Sequence, residues 1–249
     1  MSSLDHIDSF YRLGPEQVLQ AVEGLGFECT GEQLALNSYE NRVYRIGLHD
    51  NEPVIAKFYR PNRWSDAAII EEHAFTLELL ELDIPAIAPL IIGEHTLHRF
   101  ADYRFALYAF RPGRAPDLEK PEQLEQLGRF FGRIHALGAV QVFSHRPQLD
   151  VQSFGDDARE HLLDAGLLPP ELEQPYSDIT ADLLDSIEDV FDTVRPDFIR
   201  TQGDAHPGNI LWKAGAQDAA GAPYILDFDD ARMAPAVQDL WMFLAGNDE

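Results

Sequence analysis

One cysteine, Cys29, stands in the 249 residues, so no internal disulfide can form, and a reducing compartment fits the chain. No apolar run approaches the roughly 18 residues that a membrane-crossing helix needs. The opening Met1-Ser2-Ser3-Leu4-Asp5 has neither the basic patch nor the apolar stretch of a secretory leader. Basic residues are few: 19 Lys and Arg face 43 Asp and Glu, for a net charge of −24. Such a surface repels nucleic acid and anionic lipid, so neither is expected as a partner, and the expected location is the cytoplasm. Lysine is scarcest, with only Lys57, Lys120 and Lys213. A lysine inside an apolar run therefore asks for a reason.

The chain is long enough for one large domain or two small lobes, and its 45% hydrophobic content is enough for a packed core. Val18, Leu19, Val22 and Leu25 follow helical spacing behind Pro15, a residue suited to a first turn. The period then changes to that of strands at 34–36, 43–46 and 54–59, with Asp50-Asn51 turning the second into the third. Trp64-Ser65-Asp66 offers an N-cap for a helix reaching about Leu82. Two further strands are expected at 90–92 and 105–110. Arg111-Pro112-Gly113-Arg114 breaks the pattern as a hinge. Helices are expected at 121–137, from Asp156 to about Leu163, and from Ile179 to about Val194. The expected fold is α+β and two-lobed like a protein kinase: an N-terminal antiparallel sheet plus helix over residues 1–110, and a mostly helical lobe over 111–249.

Chemistry concentrates near the end of the chain. In Gln202-Gly203-Asp204-Ala205-His206-Pro207-Gly208-Asn209 a carboxylate and a carboxamide stand five positions apart. The apolar run Tyr224-Ile225-Leu226 then leads to Asp227-Phe228-Asp229. That is the spacing of a kinase catalytic loop, D-x-x-x-x-N, followed by a metal-binding aspartate. Here Asp204 orients or accepts the proton of the attacking hydroxyl, Asn209 offers an amide oxygen to Mg²⁺, and Asp227 bridges metal and phosphates. Asp and Asn also cap turns, but the pair followed by two apolar strands and a second acid is the more specific pattern.

Lys57, in Val54-Ile55-Ala56-Lys57, matches the strand lysine that touches the phosphates of ATP. It needs a carboxylate to hold it. Glu71 and Glu72 both lie one turn into the next helix, and Glu72 is the choice. The turn Asn37-Ser38-Tyr39-Glu40-Asn41 lacks the glycines of a phosphate-covering loop. If it covers the phosphates, it does so with backbone N–H groups, the Ser38 hydroxyl and the Asn41 amide. His206 is read as bonding its own loop, His135 as a packing or capping residue, and Asp239 as an anchor beneath the catalytic loop. Asp229 occupies the glycine position of D-F-G, so that loop must take a different shape.

These motifs, with Lys57-Phe58-Tyr59-Arg60-Pro61 and Pro235-Ala236-Val237-Gln238-Asp239-Leu240-Trp241-Met242, resemble the bacterial stress response kinase A family. That family is a Ser/Thr protein kinase branch of the aminoglycoside phosphotransferase-like superfamily. The resemblance implies ATP and Mg²⁺ as cofactors, a protein Ser or Thr hydroxyl as acceptor, a cytoplasmic monomer, and a role in a stress response. It implies Asp204 as proton acceptor, Asn209 and Asp227 as Mg²⁺ ligands, Asp227 as a second essential acid, and Ser38 in the ATP loop. Gln202 replaces the family's histidine and can make the same backbone hydrogen bonds. Family members continue for roughly 80 further residues of helix, so the expectation is either a fragment or an abbreviated helical lobe. Alternatives are a small-molecule kinase acting on an amino alcohol or aminoglycoside, and a weakly catalytic nucleotide-binding scaffold.

Overall fold

The computed structural model describes residue 10, residues 12–213 and residues 221–244. The stretch Met1–Asp5 read above lies outside these. A short helix α1 (Pro15–Glu23) precedes strands β1 (Cys29–Leu36), β2 (Arg42–Leu48) and β3 (Val54–Phe58). Helix α2 (Asp66–Glu81) follows, then β4 (His98–Phe100) and β5 (Tyr103–Ala109). The five strands form one antiparallel sheet in the order β1-β2-β3-β5-β4. Beyond residue 110 come α3 (Pro121–Gly138), α4 (Asp157–Asp164) and α5 (Pro170–Val194). Two small antiparallel pairs complete the chain: β6 (Ile199–Thr201) with β9 (Arg232–Ala234), and β7 (Ile210–Lys213) with β8 (Ala222–Ile225). The fold is α+β and follows the expected two-part plan, an N-terminal antiparallel sheet with its helix joined to a helical C-terminal part.

Alternation along β3 places the key lysine. Val54, Ala56 and Phe58 point into a core shared with Val18 and Val22 of α1. Ile55, Lys57 and Tyr59 must then face the opposite side of the sheet, toward α2. The Ser65 side chain accepts a hydrogen bond from the Ala68 N–H, the N-cap that sets where α2 begins. Ile69 of α2 packs on Tyr59, Ala106 and Tyr108 of the sheet. Phe75 and Leu79 reach the other way, into the core formed by Leu127, Phe131, Ile134, Ile210, Ile225 and Phe228. The helix therefore belongs to both cores. Phe75 meets Phe228 edge to face at 5.8 Å, so the acidic segment after β8 is docked on α2 through an aromatic pair.

Two expectations change. The strand at 90–92 does not form: Leu90 N–H reaches Leu107 O at 2.7 Å, but Gly93 and Glu94 both take positive φ and fold the chain back so that Ile92 bridges His95. The outer strand is instead His98–Phe100. Helix α5 starts nine residues before Ile179, at Pro170, and runs through Pro175. Pro170 fits the N1 position, and a proline five residues on removes one intrahelical bond without ending the helix. Among the described residues, no helix is long and apolar enough to cross a membrane.

Candidate active site

A cavity of about 530 Å³ lies between the sheet and the helical part, lined by Ser38, Val43, Lys57, Glu72, Tyr108, Pro112, Asn209, Leu226 and Asp227, among others. Arg111, Pro112 and Gly113 of the expected hinge form one wall. Its apolar walls and few convergent polar groups have the character of a small-molecule site.

Residues far apart in sequence meet here. Lys57 Nζ donates to Asp227 Oδ1 at 2.8 Å and lies 3.4 Å from Asp229 Oδ1. Burial opposes the charge on Lys57, but Asp227 and Asp229 more than offset it and hold the ammonium well above the usual lysine range. Asp227 itself sits at φ 56°, a left-handed conformation that is uncommon for a residue other than glycine. Its side chain remains 41% exposed toward the cleft, and among the described residues no donor engages its second oxygen.

The Lys57 partner differs from the sequence expectation. Glu72 faces the cleft, but Lys57 pairs with Asp227 and Asp229 instead. Glu72 is 2% exposed, its Oε2 finds no hydrogen-bond partner, and burial raises its carboxyl to about 7 against the opposing pull of Lys57. Glu71 points elsewhere and accepts the backbone N–H groups of Ser144, His145 and Arg146. Beneath Glu72 runs a buried chain: Thr96 Oγ1 to His73 Nδ1 at 2.8 Å, His73 Nε2 to Tyr59 Oη at 2.7 Å, and Tyr59 Oη to Tyr108 Oη at 2.9 Å. Burial lowers His73 to about 3, so its ring is neutral.

The loop Gln202–Asn209 is fixed from below. Asp239, on a single 3₁₀ turn (Ala236–Asp239), accepts Gly203 N–H at 2.8 Å and Gln202 N–H at 3.0 Å. His135 Nε2 meets the same carboxylate at 3.0 Å, so this histidine belongs to the anchor. Gly203 takes φ 88°, and a Cβ there would stand 2.0 Å from Asp230 O, so no other residue fits. Gln202 ties the two acidic segments together: its Oε1 accepts Asp204 N–H at 2.8 Å and its Nε2 donates to Asp227 O at 2.6 Å. Asn209 Nδ2 donates to Asp204 O at 2.9 Å, which turns the amide oxygen to the other side. His206 Nδ1 accepts Gly208 N–H at 3.0 Å, a bond within its own loop. Asp204 is part-buried beside it, and burial raises its carboxyl above the usual range.

Replacing the anchor gives a first test. Asp239→Ala strands two buried N–H groups, and we expect it to cost about 3 kcal/mol in urea unfolding. A loss below about 0.5 kcal/mol would exclude the anchoring role.

On the turn between β1 and β2, Ser38 lines the cleft and its Oγ accepts Asn41 N–H at 3.2 Å. Asn41 lies behind the turn, with its Oδ1 accepting Arg60 N–H at 3.1 Å. Sequence reasoning missed Asp229 as a Lys57 partner, and it missed Arg63 and Arg146, which grip the same segment. Arg63 and Arg146 sit in a turn and a loop with no recognisable spacing. Asp229, adjacent to the motif, was the one with a readable signal.

Residues 32–249 match the model of the phosphotransferase enzyme family, APH. A stress response kinase A from Salmonella paratyphi A is 37% identical over 245 residues, covering 98% of this chain and 72% of the relative. The serine/threonine protein kinase RdoA of Salmonella typhimurium matches with the same identity and coverage. Among solved structures, an amicoumacin kinase in complex with AMP-PNP and Ca²⁺ superposes with a TM-score of 0.72 at 17% identity, over 94% of this chain and 70% of that one. The chain therefore belongs to the phosphotransferase enzyme family, in which its curated relatives are stress response kinases.

Proposed function

We propose that this kinase transfers the γ-phosphate of ATP to a Ser or Thr hydroxyl of a protein, as part of a stress response. The observation that carries the reading is the 2.8 Å contact of Lys57 with Asp227, which brings a sheet amine and a distant acid to one cleft beside Asn209. Asp204 takes the proton of the acceptor hydroxyl as its oxygen bonds to the γ-phosphorus and ADP departs. Lys57 turns from Asp227 and Asp229 to the phosphates, with Glu72 next to it in the cleft wall. The turn bearing Ser38 covers the phosphates, with Asn41 bracing it from behind. The lobes divide at residues 110 and 111, and the chain works as a cytoplasmic monomer.

A divalent metal fits the donor set. The free oxygen of Asp227 and the outward amide oxygen of Asn209 are hard ligands facing the cleft, and Mg²⁺ held there would offset charge on the transferring phosphoryl group. The amicoumacin kinase, solved with a nucleotide analogue and Ca²⁺, supports a nucleotide and divalent metal in this fold.

One observation favours the second reading, a small cationic acceptor. Helix α5 carries eight carboxylates and no Lys or Arg, and it exposes Leu172, Ile179, Leu183, Val190 and Val194. A screen of protein and amino-alcohol acceptors with labelled ATP decides between the two. Label on protein Ser or Thr supports the first, and turnover of the small acceptors alone overturns it.

A further inference from the structure

We propose that Arg63 is a positioning residue for phosphoryl transfer, its single guanidinium fixing the turn over the phosphates against the acidic segment Asp227–Asp230. The inference rests on the kinase reading above and adds a residue to it.

Arg63 touches three carboxylates. Its Nη1 is 3.0 Å from Glu40 Oε2, its Nε 3.3 Å from Asp229 Oδ2, and its Nη2 donates to Asp230 Oδ1 at 2.9 Å. Glu40 lies on the turn that carries Ser38, and the two aspartates directly follow Asp227 and Phe228. No other described side chain forms ion pairs with both regions.

The chain is built to hold the guanidinium there. After β3, Pro61 and a left-handed Asn62 at φ 64° turn the backbone, and Arg63 comes to lie between Glu40 and the Asp229–Asp230 pair. Trp64 supports it, with Arg63 5.5 Å from the indole and Arg146 4.1 Å from it. Arg146 in turn donates to Ala231 O at 2.8 Å and Phe228 O at 3.1 Å, and also to Asp229 O. One arginine grips the segment by its carbonyls and the other by its carboxylates. Arg63 is only 20% exposed and Asp229 only 6%, so solvent screens these contacts less than an ordinary surface pair. With Arg60, it holds Glu40 below the usual carboxylate range despite the burial that opposes this.

Two routes connect Arg63 to the chemistry. Asp229 is shared with Lys57, so without Arg63 its charge falls more heavily on the lysine and keeps that amine from the phosphates. Glu40 transmits the second effect: without Arg63 it keeps Arg60 alone, and the Ser38 turn loses its ion-pair tie to the acidic segment. A lysine reaches one carboxylate at a time and cannot replace the fork.

The test is steady-state transfer by the full chain at varied ATP, for wild type, Arg63→Lys, Glu40→Gln and the double variant. Arg63→Lys should raise the KM for ATP about fivefold or more and lower kcat roughly tenfold. Glu40→Gln should raise KM and leave kcat within about twofold. The double variant should raise KM by less than the product of the two single effects, because the Arg63–Glu40 contact is lost in both while the Arg60–Glu40 contact is lost only with Glu40. Val22→Ala, in the core between α1 and the sheet face opposite Lys57, controls for lost stability and should move neither constant. Unchanged constants in Arg63→Lys overturn the inference, as do additive KM effects or equal effects in the core control. If the wild type binds ATP but turns over no acceptor, the same comparison is read as the Kd of a fluorescent ATP analogue with Mg²⁺. A wild type that binds no nucleotide overturns the kinase reading together with this inference.

Discussion

Asp204→Ala is expected to lower kcat about a thousandfold or more while leaving the Kd for ATP within about threefold. The carboxylate stands apart from the Lys57–Asp227 contact, so its loss removes the proton acceptor without dismantling the nucleotide cleft. Its surroundings fit the task. Burial raises its affinity for a proton, while nearby Asp230 and Asp227 push the same way and His206 opposes them. The backbone around it is held independently of the side chain, by Gln202 Oε1 on its N–H and Asn209 Nδ2 on its carbonyl. The alanine variant therefore keeps the loop in place and isolates the chemistry. Asp204→Asn sharpens the test, because it keeps size and polarity but cannot take a proton at neutral pH. Single-turnover phosphate transfer gives the rate, and a nucleotide titration gives the affinity. An asparagine variant retaining more than about a tenth of the wild-type rate would remove Asp204 from the role of base.

Much of this site was legible because its residues stand at element ends whose apolar strands announce them. Ile210-Leu211-Trp212 and Tyr224-Ile225-Leu226 form a two-stranded pair whose register sets Ile210 opposite Ile225. The residues just outside that register, Asn209 and Asp227, had nowhere to go but the same rim. Ser65 as an N-cap and Lys57 on the inner face of its strand followed from equally local rules. What stayed hidden depends on contacts across long sequence separations. Glu72 was chosen to hold Lys57 from helical spacing, but spacing gives a direction and says nothing of a competitor 157 residues further along in Asp229. Arg146 is a loop residue whose importance lies in three carbonyls presented by Phe228–Ala231. The 90–92 segment failed as a strand because a β-rich triplet was read without the paired left-handed residues that follow it. Local patterns reveal which residue types will do chemistry; they do not show which opposite charge each will find.

Asp227→Ala is expected to abolish detectable transfer and to weaken ATP binding about a hundredfold in Mg²⁺, with little change when the metal is chelated. The prediction separates two duties of one carboxylate. One oxygen holds Lys57 at 2.8 Å, and the other faces the cleft with no described donor. Loss of the first is a structural matter. Lys57 is buried, so stripping away a partner has a cost, but Asp229 at 3.4 Å still balances the charge and Asp227 is 41% exposed. The net destabilisation should be near 1–2 kcal/mol, well short of the 3–5 expected when a fully buried pair is broken. Loss of the second oxygen removes a metal ligand, and that term carries the affinity. Asp227→Asn tells them apart, because it retains an oxygen for Lys57 but carries no charge for a cation. It should fold with wild-type stability to within about 1 kcal/mol and still lose most of the Mg²⁺-dependent binding. Calorimetric titration of ATP with and without Mg²⁺, beside urea unfolding of each variant, reads both quantities. If Asp227→Asn keeps the full difference between metal and chelator, the metal is held elsewhere and the assignment of Asp227 as its ligand is wrong. If it instead unfolds as readily as a core truncation, the contact with Lys57 is holding the fold together and the cleft has been misread as a metal-binding one.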